Sequence, residues 1–243
     1  TFQIQLPTGT AELEVPPGVH VPPESSVDLA RLLDARAGED VLELGCGCGL
    51  IAIAAAKCGA RRVVATDLDP AALAATEANA RRNRVADRIQ IRAGSWYEVL
   101  DPDGRKGPAE RFHVIIATPP QTPGPVHFGP KYGGPEGTRH LFTAVDGAAA
   151  FLDPDVGRLW LLAISLANPE ALWERLAARF EEVTLVKETP RPFTRKEYDA
   201  LHPRLFDHLL ALREAGRSEF EEVDDGVCRF RNLLIRARRP RSA

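Results

Sequence analysis

The chain has 243 residues, of which 44% are hydrophobic and 27% charged, and its formal net charge is −3. This balance is that of a globular protein and excludes a disordered chain, and the apolar runs are too short to cross a membrane. The slight acidity argues against a broad nucleic-acid surface. Because no basic and then apolar leader opens the sequence, we expect a cytoplasmic protein that does not contact membranes.

The N-terminal residues 1–23 are predicted to form a hairpin followed by an extended segment. Residues 2–6 and 11–15 alternate in polarity and flank a Pro-Thr-Gly-Thr turn, which is typical of a small β-hairpin. A proline-rich stretch follows. Ser25 and Ser26 can then cap a first helix.

Strands and helices alternate along the next part of the chain. This alternation predicts an α/β fold with a doubly wound, mostly parallel seven-stranded sheet covered on both faces. The predicted strands are 40–44, 61–66, 88–92, 112–118, 158–164, 182–188 and 227–236, and the predicted helices between them are 50–57, 70–82, 137–152 and 169–180.

A helical insertion is predicted between the last two strands, because residues 189–226 are too many for a hairpin turn and show helical periodicity. Pro203 should divide it into two helices. The insertion is either a lid over the carboxyl ends of the strands or an extra helical layer that serves as a dimerisation arm, and the oligomeric state stays open. The predicted organisation is one domain, 1–243, with a core of 24–188 and 227–238, the insertion 189–226, and a solvated basic tail 236–243.

The strongest motif is the run Val-Leu-Glu-Leu-Gly-Cys-Gly-Cys-Gly at residues 41–49, an apolar strand that enters a glycine at every second position. Glycines are needed where a ligand lies directly against the backbone. At the carboxyl end of the first strand of an open α/β sheet, that ligand is nucleotide-like. A dinucleotide fingerprint would have its third glycine where Leu50 stands, so nicotinamide chemistry fits less well.

Two carboxylates follow the next predicted strand. Asp67 stands at the strand end, where it can accept hydrogen bonds from ribose hydroxyls. Asp69 directly precedes Pro70 at a helix start, which favours a capping role. The cysteines Cys46 and Cys48 have neither zinc nor disulfide spacing, so we interpret them as small buried thiols and predict no metal.

These motifs resemble the class I methyltransferases, and the resemblance implies the cofactor S-adenosyl-L-methionine with S-adenosyl-L-homocysteine as product. Within that class, residues 19–26, Val-His-Val-Pro-Pro-Glu-Ser-Ser, resemble a segment of the HemK-like glutamine methyltransferases, the methyltransferase small domain family. Residues 72–79, 94–96 and 133–137 resemble further segments of it. The cofactor-binding residues so implied are Pro23, Glu24, Glu43, Gly45, Cys46, Gly47, Gly49, Asp67, Leu68, Ser95, Trp96 and Thr118.

The expected acceptor site is the segment Thr118, Pro119, Pro120 and Gln121, which follows a predicted strand. The HemK-like family has Asn-Pro-Pro-Tyr here, and the resemblance implies that this turn holds the planar nitrogen to be methylated. A threonine hydroxyl replaces the amide, and a glutamine cannot stack as a tyrosine would. Methyl transfer needs mainly alignment of the acceptor, so a single positioned hydroxyl can serve.

We therefore predict an S-adenosylmethionine-dependent methyltransferase that acts on a nitrogen, or else an oxygen, of a small-molecule or amino-acid-like acceptor. The altered turn and the long insertion favour a small-molecule partner over a protein. Two alternatives stay open, a HemK-type protein glutamine methyltransferase and a non-catalytic module that binds adenosylmethionine.

Overall fold

The computed structural model describes residues 1–100, 110–224 and 226–241. Its strands are β1 (Phe2–Leu6), β2 (Gly9–Leu13), β3 (Asp40–Leu44), β4 (Arg62–Asp67), β5 (Ile89–Ala93), β6 (Val114–Ala117), β7 (Arg158–Ile164), β8 (Phe180–Thr194), β9 (Glu221–Asp224) and β10 (Val227–Pro240). Its α-helices are α1 (Glu24–Leu32), α2 (Leu50–Lys57), α3 (Pro70–Arg82), α4 (Arg139–Phe151), α5 (Pro169–Arg179), α6 (Arg195–Asp199) and α7 (Leu205–Glu214).

The central sheet has the strand order β5-β4-β3-β6-β7-β10-β8, and β9 pairs with the beginning of β10. Strands β3 to β7 are parallel to one another, whereas β10 is antiparallel to both β7 and β8. The predicted doubly wound, mostly parallel sheet is confirmed, with β9 as an addition to the seven strands expected. The chain order reverses between β3 and β6, and ligands of open α/β sheets bind at such a point.

Both faces of the sheet are buried. Ile116 and Trp160 pack with α1, α2 and α3 on one face, while Ile115 and Leu161 pack with α4 and α5 on the other. Successive strand residues point to opposite faces, so these strands read as continuous apolar runs. In the described part of the chain, none of the helices has the length and apolar character needed to cross a membrane.

Strands β8 and β10 are longer than predicted. β8 continues to Thr194 and β10 to Pro240, and they pair from Phe180 opposite Pro240 to Thr194 opposite Val227. The described part of the predicted solvated tail is therefore mostly strand. Its arginines suggested a solvent-exposed end, but several of them form ion pairs with carboxylates outside the tail; Arg239, for example, pairs with Glu182.

The helical insertion begins six residues later than predicted, because 189–194 belong to β8. Helices α6 and α7 lie on either side of Pro203, as expected. They pack on β8 and β10 through an aromatic cluster. Its described aromatic members are Phe193, Tyr198, Phe206, Phe220 and Phe230.

Candidate cofactor and acceptor site

The glycine loop leaves the carboxyl end of β3 and is fixed to the end of β4. The amides of Gly45 and Cys46 donate to the carbonyl of Thr66 at 2.9 and 2.8 Å, and the amide of Gly47 donates to Oδ2 of Asp67 at 2.9 Å. Gly45 has a φ of 77° and Gly47 a φ of 53°. Residues with a Cβ rarely adopt this left-handed backbone conformation, so the loop needs glycine at both positions.

The glycines of the loop face two different surroundings. A Cβ built on Gly45 or Gly47 would have no atom within 4 Å, so both residues border open space. A Cβ on Gly49 would lie 2.9 Å from Cγ2 of Thr76. Gly45 and Gly47 thus line a cradle that could receive a ligand, whereas Gly49 permits close packing of the loop on α3.

Glu43 lies at the floor of this region and is only 3% exposed. It accepts a hydrogen bond from the amide of Ala52, but its Oε2 has no partner among the described residues. Burial, together with the nearby charge of Asp67, raises the pKa of Glu43 well above its ordinary value. An unpartnered buried carboxyl oxygen fits a cationic or hydrogen-bonding group of a ligand.

The carboxylates after β4 have separate roles. Besides holding Gly47, Asp67 accepts a hydrogen bond from the amide of Asp69 through Oδ1 at 3.0 Å. Asp69 itself accepts from the amide of Ala71 at 2.9 Å, which confirms the predicted cap of α3. Between them, Leu68 is 70% exposed and free to contact a ligand.

The end of β5 adjoins the same site. The amide of Gly94 donates to the carbonyl of Asp67 at 3.0 Å, which brings Ser95 and Trp96 to this edge of the sheet. Trp96 stacks on His140 of α4, with ring centroids 5.6 Å apart. Burial, together with the charge of Arg139, lowers the pKa of His140 and favours its neutral form. The sequence analysis did not identify His140.

The start of α1 contributes less than expected. Pro23 precedes the helix, and its carbonyl accepts the amides of Ser26 and Val27. Glu24 is exposed and pairs with Arg31 two turns along the same helix at 2.9 Å. The described ion pair of Glu24 thus lies within α1. A cofactor-binding role for Pro23 and Glu24 stays a prediction.

The turn after β6 is rigid, but Gln121 does not face an acceptor. Its Nε2 donates to the carbonyls of Pro119 and Leu162 at 3.1 and 2.9 Å, and its Oε1 accepts the amide of Ile164 at 2.7 Å. This corrects the expected catalytic position of Gln121, since its buried amide ties the turn to β7. Thr118 is half-buried and Pro120 exposed, so these two can border an acceptor.

The glycine-rich segment 133–137 packs directly on this turn. A Cβ on Gly133 would lie 2.4 Å from Cα of Gln121, and one on Gly137 would lie 2.4 Å from its carbonyl oxygen. Glu136 of the same segment accepts hydrogen bonds from Asn168 at 2.6 Å and from Arg217 at 2.9 Å. The segment therefore connects the turn after β6 with the end of the helical insertion.

The thiols of the glycine loop are buried, as predicted, and no disulfide forms among the four cysteines. Burial raises the pKa of Cys48 to about 11, so this thiol is neutral at ordinary pH. Cys46 accepts a hydrogen bond from Thr76. Among the described residues, no group of three or more His, Cys, Asp or Glu side chains could hold a metal ion.

Comparison with known proteins gives a match over the glycine loop and its flanking elements. Residues 27–118 match the model of the family "Ribosomal protein L11 methyltransferase (PrmA)", which is less than half of the chain. The fold is that of the class I S-adenosylmethionine-dependent methyltransferases. The matched residues include the glycine loop, Glu43 and Asp67, so the predicted cofactor, S-adenosyl-L-methionine, is confirmed for this class.

Individual relatives of this chain match over short segments. A ribosomal protein L11 methyltransferase of Alteromonas mediterranea is 56% identical over 63 residues, which are 25% of this chain and 22% of that protein. One of Mannheimia succiniciproducens is 47% identical over 87 residues, or 33% of this chain and 30% of that protein. The matched segments thus span less than a third of either relative.

Solved structures support the fold of the chain over nearly its whole length. A ribosomal protein L11 methylase of Lactobacillus delbrueckii subsp. bulgaricus has a TM-score of 0.53 at 17% identity, covering 92% of this chain and 83% of that one. A putative methyltransferase of Bacillus halodurans reaches 0.57 at 18% identity, covering 90% and 100%. At these identities the likeness establishes the fold alone.

Two expectations about this chain change. The relatives are named for a ribosomal protein, which contradicts the predicted small-molecule partner. The matching family model is also that of the L11 methyltransferases, so it does not support the finer resemblance to HemK-like enzymes.

Proposed function

We propose that this chain transfers the methyl group of S-adenosylmethionine to a nitrogen of a protein, and that a ribosomal protein of the L11 kind is the first substrate to test. The observation that carries the proposal is the open cradle at Gly45 and Gly47, beside Glu43 and Asp67, at the point where the strand order reverses. The match of residues 27–118 to L11 methyltransferases supports it. The cytoplasmic location stays a prediction.

The cofactor would lie across the carboxyl ends of β3 to β6. In this proposal the methionine end lies against the backbone at Gly45 and Gly47, beside Glu43, and the remaining lone pairs of Asp67 accept the ribose hydroxyls. Leu68, Ser95 and Trp96 border the base, with Trp96 kept in place by its stack on His140. Backbone hydrogen bonds support these assignments, because they join the glycine loop to Thr66 at the end of β4 and Gly94 to Asp67.

Bound S-adenosylmethionine supplies an activated methyl group, so the protein has to align an acceptor lone pair and exclude water. The Thr118 hydroxyl is the group at the end of β6 that can orient a nitrogen. Pro119 and Pro120 restrict the backbone, and Gln121 anchors the turn to β7. The carbonyl of Pro119 already accepts a hydrogen bond from Gln121, which leaves it one lone pair for an acceptor.

A second candidate is a protein glutamine methyltransferase of the HemK type. The observation that favours it is the Pro119-Pro120 turn, against which the backbone at Gly133 and Gly137 packs without room for a Cβ. The absence of the family's asparagine and tyrosine weighs against it, because Thr118 and Gln121 stand in their places.

The decisive experiment has two stages. Calorimetric titration with S-adenosylmethionine, with NAD as the matched negative ligand, should show binding of the first alone. Transfer of a radiolabelled methyl group is then measured to recombinant ribosomal protein L11 and, separately, to a release factor. Labelled L11 supports the proposal and labelled release factor the second candidate. Binding without labelling of either protein would indicate a non-catalytic module, and no binding would contradict the proposal.

Thr118→Val tests the acceptor site directly. This substitution keeps the shape of the side chain and removes its hydroxyl, so the dissociation constant of S-adenosylmethionine should stay nearly unchanged. The rate of methyl transfer should fall about 5- to 150-fold, which is the effect of losing about 1 to 3 kcal/mol of transition-state stabilisation. Single-turnover rates measure it, and a wild-type rate would show that the acceptor is held elsewhere.

A further inference from the structure

Two asparagines, one on α3 and one directly after it, bind the outer edge of the N-terminal hairpin. Asn79 accepts the amide of Glu14 and donates to its carbonyl, both at 2.9 Å. Asn83 accepts the amide of Glu12 at 3.0 Å and donates to its carbonyl at 2.7 Å. The two side chains therefore pair with this edge as a neighbouring strand would.

The two asparagines differ in one contact. The second hydrogen of Asn79 Nδ2 is donated to the carbonyl of Cys48, in the glycine loop, at 3.0 Å. The corresponding hydrogen of Asn83 is donated to the carbonyl of Asn79, within the helix. Of these two side chains, only Asn79 joins the hairpin to the cofactor loop.

The buried contacts of α3 with the loop also include Thr76. Thr76 and Asn79 are both fully buried, and Oγ1 of Thr76 lies 3.0 Å from the carbonyl of Gly47. The same loop is held at the amide of Gly47 by Asp67. Loss of the Asn79 amide would leave the carbonyl of Cys48 without this partner and relax the backbone beside Gly47 and Gly49.

We propose that Asn79 is a positioning residue that shapes the cofactor loop and couples its occupancy to docking of the N-terminal hairpin. The inference rests on the proposed function, because it takes S-adenosylmethionine as the ligand of the loop. A preorganised loop binds more tightly, since less conformational freedom is lost on binding. By linkage, a cofactor that orders the loop must strengthen hairpin docking equally.

The test compares three variants. Asn79→Ala loses the contacts to both the loop and the hairpin. Asn83→Ala loses those to the hairpin and to the carbonyl of Asn79 but none to the loop, and Thr76→Val loses the contact to the loop alone. Both asparagine variants should lower the melting temperature of the apoprotein. The dissociation constant of S-adenosylmethionine should rise about tenfold in Asn79→Ala and stay within about twofold in Asn83→Ala. Equal changes in these two, or none in Asn79→Ala, would overturn the positioning role.

Hydrogen exchange tests the coupling separately. Saturating S-adenosylmethionine should slow exchange of the Glu12 amide in the wild type and in Thr76→Val, but not in Asn79→Ala. If Asn79→Ala does not fold, the wild type decides, because unchanged exchange at Glu12 and Glu14 would overturn the coupling. Failure of the proposed function can be distinguished from failure of the Asn79 inference, because in the first case the wild type would bind no S-adenosylmethionine. The apoprotein would still show faster exchange at Gly49 in Asn79→Ala than in Asn83→Ala if the positioning role holds.

Discussion

Asp67 and Asp69 stand two residues apart, yet they should respond differently to removal of the carboxylate. Asp67 holds the amide of Gly47 and borders the cradle, whereas Asp69 caps α3 through the amide of Ala71. Asp67→Ala should weaken S-adenosylmethionine binding by about 1.5 to 3 kcal/mol. Asp69→Ala should instead cost about 1 kcal/mol of unfolding free energy and leave affinity nearly unchanged. Calorimetry and denaturant unfolding measure the two effects, and equal affinities for both variants would remove Asp67 from the site.

Glu43 makes a prediction about pH. Burial raises its pKa in the folded protein, so its contribution to stability is present below its ordinary value of 4.5 and is lost as the pH rises. Glu43→Gln removes this loss, and the variant should gain melting temperature over the wild type as the pH rises above 4.5.

Glu39→Gln is the control of opposite sign. Burial alone would raise the pKa of Glu39, but hydrogen bonds from Arg158 and from the amide of Arg36 lower it below its ordinary value. Its contribution is therefore present above 4.5 and is lost as the pH falls, so Glu39→Gln should destabilise most near neutral pH. If the stability of both variants relative to the wild type changed with pH in the same direction, the opposite pKa shifts of Glu43 and Glu39 would be contradicted.

At the scale of elements, the helical insertion is part of the hydrophobic core. The side chains of Tyr198, Leu205 and Leu209 are buried with Phe193 and Phe230 of the long strands. Deleting the insertion would expose this cluster, so deletion cannot separate a lid from a structural layer. A point change at the contact between the insertion and the segment 133–137 is the sharper test.

Arg217→Ala provides that change. Arg217 donates to Glu136 beside the acceptor turn, whereas Arg204, the matched control, is 86% exposed and pairs with Asp207 inside the insertion. If the insertion is a lid, Arg217→Ala should raise KM for the protein acceptor about two- to fivefold with little effect on cofactor affinity. Arg204→Ala should change neither. An unchanged KM in Arg217→Ala would favour the extra helical layer.

Features that depend on local sequence could be predicted, whereas features that depend on distant residues could not. The glycine loop and the alternating strands and helices could be predicted because they depend on local patterns of glycine and apolar residues. The roles of Asn79 and Gln121 could not, because each depends on a partner far along the chain, Glu14 for the first and Leu162 for the second. The end of β10 was missed for the same reason, since its arginines are paired with distant carboxylates.

At the scale of the whole molecule, an ion-pair network closes the edge of the sheet opposite the cradle. Arg158, at the start of β7, has a side chain only 4% exposed and pairs with Asp34 at 2.6 Å and with Glu39 at 2.8 Å. Burial alone would raise the pKa of Asp34, but hydrogen bonds from Arg158 and Trp160 lower it. The network joins the segment between α1 and β3 to the start of β7. None of these ion pairs involves the glycine loop, so the network should affect stability alone.

Arg158→Leu should therefore cost about 3 kcal/mol of unfolding free energy at neutral pH, because it leaves two partly buried carboxylates without their main partner. Arg81→Leu is the control, since its i,i+4 pair with Glu77 on the exposed face of α3 is worth about 0.5 kcal/mol or less. Lowered pKa values mean that the wild-type advantage is present above the ordinary pKa values of Asp34 and Glu39, 3.8 and 4.5. The advantage is lost as the pH falls below these values toward the lowered pKa values of the folded protein. Denaturant unfolding between pH 3 and 7 should show the gap narrowing toward acid, while S-adenosylmethionine affinity near neutral pH stays at the wild-type value. A gap independent of pH would mean that Arg158 acts through packing of its aliphatic stem rather than through its charge.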